Sequence, residues 1–134
     1  MSFELAVQSA LYRALTVGDP LPEEVTGVFD DVPQDYESFP YVTIGEAQHA
    51  EWGTHTESGQ IVTCVIHTWS RQPGRAETKL IQGAIYDALH RATLTDPGAE
   101  FIDCQFLMSE SFLDPDGLTR HGVQQFKILL TDPA

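Results

Sequence analysis

Five histidines and two cysteines are the residues of this 134-residue chain that could bind a metal ion. Cys64 and His67 have a spacing that occurs in zinc sites, but they fall in a predicted β-strand, where an odd separation directs two side chains to opposite faces. A second group, near the tip of a predicted hairpin, consists of His49, Glu51, His55 and Glu57. No further pair at ligand spacing accompanies this group, so we predict no metal and no cofactor.

Catalytic motifs are missing from the sequence. Nucleophilic catalysis needs a serine or cysteine beside a base, and the chain has no G-x-S-x-G elbow, no P-loop and no dinucleotide-binding glycine pattern. The paired carboxylates Asp30-Asp31 and Glu23-Glu24 could take part in acid-base chemistry, but adjacent acids in a loop are more often solvated. We therefore predict that the protein is not an enzyme. A small metal-dependent hydrolase, built on the histidine and glutamate group above, is the alternative from another class.

The charge of the chain is acidic and unevenly distributed. Twenty Asp and Glu against seven Lys and Arg give a formal net charge of −13, and no Lys or Arg lies between Arg13 and Arg71. The basic residues in or beside the second predicted helix are Arg71, Arg75, Lys79 and Arg91. Nucleic-acid binding draws most of its affinity from Lys and Arg that neutralise phosphates, so this balance argues against stable binding of DNA or RNA. A solvated acidic surface is the simpler interpretation.

Length and hydropathy predict one domain, residues 1–134, in a soluble intracellular protein. No apolar stretch approaches the roughly 20 residues that span a membrane, and the first residues lack the basic region of a signal peptide. Cys64 and Cys104 lie in predicted strands, and a reducing compartment favours two buried thiols over a disulfide.

Hydrophobic periodicity predicts six elements in the order α-β-β-α-β-β. Helical spacing of apolar residues predicts one helix over 3–16 and a second within 71–92, after Pro73-Gly74. The sequence predicts strands over 41–52, 60–70, 101–113 and 118–130, and apolar and polar residues alternate over 101–113. The turn sequence Asp-Pro-Asp-Gly joins the last two strands. The predicted fold is α+β, an antiparallel four-stranded sheet with two helices packed on one face.

The predicted strand over 60–70 is apolar on both faces. One face carries Ile61, Val65 and Trp69, and the other carries Val62, Cys64 and Ile66. Such a strand suits the centre of a sheet that is covered on both sides. Because two helices cover only one face of a four-stranded sheet, the other face needs a loop or another subunit.

The segment from Val28 to Glu46 is stiff and acidic. Its two proline pairs, Val32-Pro33 and Phe39-Pro40, favour extended, non-helical backbone. Phe39 and Tyr41 flank Pro40 and point to the same side, which suits an anchor to the core or to a neighbour.

Three phrases, in this order, resemble the small tail-completion or tail-terminator proteins of long-tailed phages: VFDDVPQDYESFPYVTIGE, HTWSRQPGRAETKLIQGAIYDAL and DPDGLTRHGVQQFKI. The chain is most similar to the versions in prophages and gene transfer agents of alphaproteobacteria. The resemblance covers nearly the whole chain. Its specificity comes from the three phrases together, because none of them is diagnostic alone.

The resemblance implies a structural protein that forms a ring, usually a hexamer, on the head-proximal end of the tail tube. The ring stops tube growth and joins the tail to the head connector. Its implied partners are other copies of the chain, the tail tube protein and the head-tail connector or stopper protein. DNA passes through without specific binding, and no membrane is involved. The protein is expected to be cytoplasmic during assembly and then part of a virion or phage-like particle. A head-tail stopper or adaptor subunit is the alternative within the same assembly.

Two sets of residues are predicted to serve such a ring. The predicted interface residues are Phe39, Tyr41, Trp52, Arg71, Arg75 and Arg120. The three aromatic residues could equally be satisfied within one subunit, and Arg71 could bridge to Glu77 or reach a neighbour's acidic loop. The carboxylates predicted to face the channel and repel phosphates are Asp30, Asp31, Asp35 and Glu37.

Overall fold

The computed structural model describes residues 3–53 and 58–133. The elements are α1 (Phe3–Thr16), β1 (Val28–Phe29), β2 (Tyr41–Gly53), β3 (Ser58–Ser70), α2 (Ala76–Leu89), β4 (Glu100–Leu113) and β5 (Arg120–Thr131). The α+β class, both helices and the four long strands are confirmed. The predicted bounds of the first helix are those observed, because its apolar stripe and its flanking residues mark both ends.

The prediction of a four-stranded antiparallel sheet is wrong, because the observed sheet has five strands and is mixed. The strand order is β1-β2-β3-β5-β4. The short strand β1 pairs with β2 in parallel, Val28 opposite Val42 and Phe29 opposite Thr43, while every other pairing is antiparallel. A strand of two residues is too short to show an alternating pattern, so periodicity does not reveal it.

Both helices pack on the same face of the sheet. The buried stripe of α1 consists of Ala6, Val7, Ala10, Leu11 and Leu15. The buried stripe of α2 consists of Thr78, Ile81, Gln82, Ile85 and Leu89. Gly18 follows α1 with φ of 79° and Gly74 precedes α2 with φ of 90°, a left-handed conformation that glycine adopts at little cost. Neither helix is long and apolar enough to cross a membrane.

The core lies between the two helices and one face of the sheet. Its strand residues include Val62, Cys64 and Ile66 from β3 and Phe126, Ile128 and Leu130 from β5. These residues alternate along their strands, so the intervening side chains point away from the helices. Within the described residues α1 and α2 cover only one face of β3, as predicted for two helices, and the cover of the other face stays a prediction.

The two cysteines are free and buried, as predicted. Burial raises the pKa of the Cys64 thiol to about 12, and burial together with the charge of Asp103 raises the pKa of Cys104 to about 12. Cys64 belongs to the helix-covered face, whereas the His67 ring contacts Trp69 and His121 on the other face. The predicted opposition of Cys64 and His67, which rules out a zinc site at this pair, is confirmed.

The outer edge of β4 is partly occupied by groups from α2 and the residues that follow it. The backbone N–H of Arg91 donates to the Cys104 carbonyl at 2.7 Å, and the Phe106 N–H donates to His90 Nδ1 at 3.1 Å. Further along the strand, Gln82 Nε2 donates to the Glu110 carbonyl at 3.0 Å. Three backbone groups of this edge strand are thus satisfied within the chain.

Candidate functional site

The sheet face opposite the helices, called here the open face, has no helix over it among the described residues. Its apolar members on the two central strands are Ile61, Val65, Trp69, Val123 and Leu129, all partly exposed. Their helix-side neighbours on the same strands are fully buried. A protein that functions alone rarely leaves such a surface uncovered, so the open face is a candidate contact surface.

One end of the open face carries a row of aromatic rings that crosses four strands. Strand register places Tyr41 of β2 opposite Trp69 of β3, Trp69 opposite His121 of β5, and His121 opposite Phe112 of β4. The Trp69 and His121 rings stack with centroids 3.8 Å apart, and the other neighbouring centroids lie 6.3 Å and 4.9 Å apart. This aromatic row is held by the sheet itself, which makes it a preformed surface.

The loop between β1 and β2 extends the aromatic row beyond β2. Tyr36 lies edge-on to Phe29 and to Tyr41, with centroids 5.1 Å and 5.3 Å apart. Phe39 packs against Tyr41 at 5.1 Å, which confirms that the two rings point to the same side. Arg71 lies over the Phe39 ring, with its guanidinium carbon 4.4 Å from the ring centroid, in a cation-π contact. The stiff segment is thereby fastened to the sheet.

Two histidines of the open face share a hydrogen bond. Nδ1 of His67 and Nε2 of His121 lie 2.7 Å apart, and Asp114 is 3.4 Å from the other nitrogen of His121. Glu46 lies 3.3 Å from His67 Nε2. The pKa of His121 is lowered, first by burial and then by the neighbouring His67, and the nearby carboxylates offset only part of this effect. The pair therefore favours the neutral form of His121.

A glycine permits this histidine arrangement. Gly45 lies at the β-bulge of β2, between Ile44 and Ala47, and a Cβ placed on it would lie 2.7 Å from the His67 ring. Any larger residue at this position would displace the ring.

Of the predicted interface residues, the structure brings Phe39, Tyr41 and Arg71 together at the aromatic row. Arg71 does not form the predicted bridge to Glu77, because Glu77 Oε1 accepts from Ser70 at 2.6 Å while Arg71 Nε donates to Thr119 at 3.3 Å. The aromatic contacts show that Phe39 and Tyr41 are satisfied inside the subunit, although Phe39 remains partly exposed. Their role in an interface stays a prediction.

Trp52 lies at the far end of β2 from the aromatic row. It packs across the strand pair onto Gly59, and its Nε1 donates to the Gln60 carbonyl at 3.1 Å. The absence of a side chain at Gly59 makes room for the indole, since a Cβ there would lie 2.3 Å from it. Trp52 therefore belongs to the hairpin between β2 and β3 and does not join Phe39 and Tyr41.

The remaining predicted interface residues lie elsewhere on the subunit. Arg75 is the N-cap of α2 and is exposed. Arg120 begins β5, and within the described part of the chain its buried Nε has no hydrogen-bond partner. Among the described residues, neither Arg75 nor Arg120 contacts the rings of the aromatic row through its side chain.

The four predicted channel-facing carboxylates are all exposed. Asp30 accepts from Gln8 of α1 at 2.8 Å, on the helix side of the sheet edge. Asp35 has φ of 61° and, with Glu37, flanks the packed ring of Tyr36. Exposure is compatible with a channel role but does not establish one, so this role stays a prediction.

The histidine and glutamate group proposed for a hydrolase is only partly described. His49 Nδ1 donates to Glu4 Oε1 at 2.8 Å, so it pairs with α1. His55 and Glu57 lie outside the described residues. Within residues 3–53 and 58–133, no cluster of three His, Cys, Asp or Glu side chains could hold a metal ion.

The sequence indicated that His121 is a surface or interface residue, but it did not predict that His121 and Phe112 join the aromatic row or that His67 pairs with His121. Each lies on an alternating strand pattern that predicts its face, but the lateral neighbours depend on strand register. The predicted hairpin between β2 and β3 and the turn between β4 and β5 set that register, and bulges shift it at three places. A count backwards from the Asp-Pro-Asp-Gly turn could have placed Phe112 opposite His121.

The described residues thus combine an aromatic row and a partly exposed apolar face with a fold of two helices on a mixed five-stranded sheet. The sequence profile of the family described as Tail completion protein gp17 matches residues 9–131. The chain belongs to this family, and its role is structural, in the completion of a phage-type tail. The predicted resemblance is thus confirmed.

Individual relatives agree with this assignment. The chain is 28% identical over 127 residues to the tail completion protein gp17 of Bacillus phage SPP1, covering 95% of this chain and 93% of that protein. A solved structure of SPP1 gp17 has a TM-score of 0.64 at 27% identity, covering 92% of this chain and 88% of the other. A chain in the virion of a native gene transfer agent particle has a TM-score of 0.88 at 26% identity, covering 97% and 99%.

Proposed function

We propose that this chain forms a cyclic hexamer at the head-proximal end of a tail tube. The ring ends tube growth and joins the tail to the head, with the tail tube protein on one side and the head-tail connector or stopper protein on the other. The observation that carries this proposal is the open face, whose apolar side chains are partly exposed in the isolated subunit and could be buried by a neighbour. Membership of the tail completion family and the likeness to a chain of a gene transfer agent virion support it.

The energetics favour assembly on a template over assembly in dilute solution. Full burial of one Val, Ile or Trp side chain contributes about 1.5–3 kcal/mol, and the members of the open face contribute less because they are already partly covered. Association costs about 4–15 kcal/mol in lost freedom. Six copies also carry a formal charge of 6 × −13 = −78. We therefore expect a monomer or weak oligomer in dilute buffer that closes into a ring on the end of the tube.

DNA passes through the ring in this proposal, and the acidic surface prevents the DNA from binding to the channel wall. Of the four carboxylates predicted to face the channel, we keep Asp30 and Asp31 in that role and assign Asp35 and Glu37 to the contact between subunits that is proposed below. Carboxylates that face the channel repel the phosphates of DNA, and without Lys or Arg no counterions are released to favour binding. Replacing Asp30 and Asp31 with lysine is expected to slow DNA release from assembled particles in a salt-sensitive manner, measured as ejection rate at two salt concentrations. Equal release rates for variant and unmodified particles would assign these acids to solubility alone.

Cryo-microscopy of assembled particles tests the proposed function. We expect six copies of this chain in one ring between the tail tube and the head, assembled in the cytoplasm before the particle is released. A ring of another symmetry, or absence of the chain from this position, would overturn the hexamer proposal. A position one layer nearer the head would instead identify a stopper or adaptor subunit.

A further inference from the structure

A groove between α2 and β4 carries two basic side chains on its wall. Its volume is about 610 Å³, and its wall includes Arg75, Lys79, Gln82, Tyr86 and Glu110. Arg75 and Lys79 are both exposed and lie on successive turns of α2. Glu110 is the only carboxylate among the described lining residues, so the groove is basic within a chain of net charge −13.

The two basic side chains of the groove have no partner of opposite charge within the described part of the subunit. Arg13 and Arg91 differ in this respect, because Arg13 pairs with Asp96 and Arg91 pairs with Asp103. Arg75 and Lys79 make no ion pair with a described residue, although the chain carries nearly three acids for each base. Two unpaired cations beside a groove are complementary to an acidic segment.

A matching acidic segment lies at the opposite edge of the sheet. Asp35 and Glu37 belong to the loop that joins β1 to β2, and β1 and β4 are the two edge strands. Tyr36, between the two acids, is pinned by rings on both sides and by a 2.8 Å hydrogen bond between its hydroxyl and Thr26. The two carboxylates are thus held outward on a fixed loop, and neither forms a side-chain bond to another described residue.

Opposite charges at opposite edges suit a head-to-tail contact. When copies of one chain associate through two different surfaces, the contact repeats from copy to copy and closes into a ring if the rotation allows. The acidic loop of one copy then meets the basic groove of the next, and every copy uses both surfaces. Asp30 and Asp31 are not part of this contact, and Asp30 accepts instead from Gln8 of α1 in its own subunit.

We propose that Asp35 and Glu37 of one subunit bind Arg75 and Lys79 in the α2–β4 groove of the adjacent subunit. This contact specifies which edges of the subunits meet, and it rests on the ring of the proposed function. The occupant of the groove is a second copy of the chain and not a tail tube or connector segment. The preformed loop reduces the loss of conformational freedom on docking.

A charge exchange tests the contact in assembled particles. Arg75→Glu with Lys79→Glu should lower the yield of particles with joined tails about tenfold, and Asp35→Lys with Glu37→Lys should do the same. All four changes in one chain restore the formal net charge of −13 and should return the yield to within about threefold of the original. Glu23→Lys with Glu24→Lys is the control, because it changes two exposed acids outside the loop and should leave the yield unchanged.

Cross-linking provides a second measurement. With Glu37→Cys and Lys79→Cys in one chain, a short bis-maleimide should produce a ladder of covalent multimers in assembled particles. The native Cys64 and Cys104 are buried, so they do not compete. Glu23→Cys with Lys79→Cys should produce no ladder, and the melting temperature of each isolated variant shows whether it folds.

The outcomes separate the contact from the function. A ladder together with recovery in the charge exchange supports the contact. A hexameric ring seen by cryo-microscopy, with no ladder and no recovery, overturns the contact and leaves the proposed function standing. Cross-links from the cysteine of Lys79→Cys to the tail tube or connector protein would identify another occupant of the groove and overturn the proposal.

Discussion

Two valines of β3 allow the assignment of the covered and open faces to be tested with one chemical change. Val62 lies against the helices and is fully buried, with 0% exposure, whereas Val65 lies three residues further on the open face and is partly exposed. Val62→Ala and Val65→Ala remove the same atoms from the same strand. We expect Val62→Ala to destabilise the isolated subunit and Val65→Ala to affect mainly the assembled state.

The magnitude follows from burial. Removing about two buried methylene equivalents at about 0.8 kcal/mol each gives roughly 1.6 kcal/mol, and the cavity left among the well-packed neighbours of Val62 raises this to about 2–3 kcal/mol. For a domain of this size, each kcal/mol lowers the melting temperature by roughly 3–5 °C. Val62→Ala should therefore melt about 6–15 °C lower. Val65→Ala should cost less than about 1 kcal/mol, because its side chain still contacts solvent.

Urea unfolding and thermal melting of the isolated subunit measure the first effect, and the yield of joined particles measures the second. Val65→Asp serves as a stronger probe, since a charge on the open face should block assembly while the isolated subunit stays folded. Equal losses of stability for the two alanine variants would refute the reasoning, because they would show that the open face is covered within the subunit. Normal particle yield with Val65→Asp would show that this part of the open face contacts no partner.

Three further results are expected. The pKa of His121 is lower in the folded chain than its value of about 6.5 in the unfolded chain, so its neutral form contributes stability above pH 6.5. This contribution is lost as the pH falls through the folded pKa. The melting temperature should therefore fall less between pH 7 and pH 5.5 in His121→Gln than in the original chain. Asp116 accepts from the hydroxyl and N–H of Thr119 and from a further backbone N–H, which lowers its pKa to about 2. Its contribution to stability is present above pH about 3.8 and is lost toward pH 2, so Asp116→Ala should melt lower at pH 7 and approach the original chain near pH 2. Gly45→Ala should displace the His67 ring and change the NMR signals of both paired histidines, and unchanged signals would contradict the close approach.

The secondary structure was largely predictable because its signals are local. The apolar stripe over 3–16 has helical spacing along its whole length, and β5 and the first part of β4 alternate between buried and more exposed residues. The strand β1 was missed because two residues carry no period. The faces of β3 were correctly separated, but the pattern did not reveal which one the helices cover, since both are apolar.

The candidate site was less predictable because it depends on register and on chain reversal. Phe39, Tyr41 and Arg71 were identified from one loop and the residues after one strand, and the structure joins them. His121 joins the same row only through the pairing of β3 with β5, which is remote in sequence. The sequence left open whether Arg71 bridges to Glu77 or reaches a neighbour, and in the structure Glu77 accepts from Ser70 while Arg71 donates to Thr119.

The occupied edge of β4 has a consequence for how particle assembly is controlled. A strand edge with free N–H and carbonyl groups pairs with almost any other edge, so a subunit made in many copies would risk open-ended fibres. Hydrogen bonds that Arg91 and Gln82 donate to this edge, and one that His90 accepts from it, remove part of that affinity for other edges. In the contact between copies that we propose, recognition then depends on side chains, whose charge and shape are specific to this chain. The hydrogen bonds that complete part of the edge of β4 would thus also limit its unintended pairing with other strands.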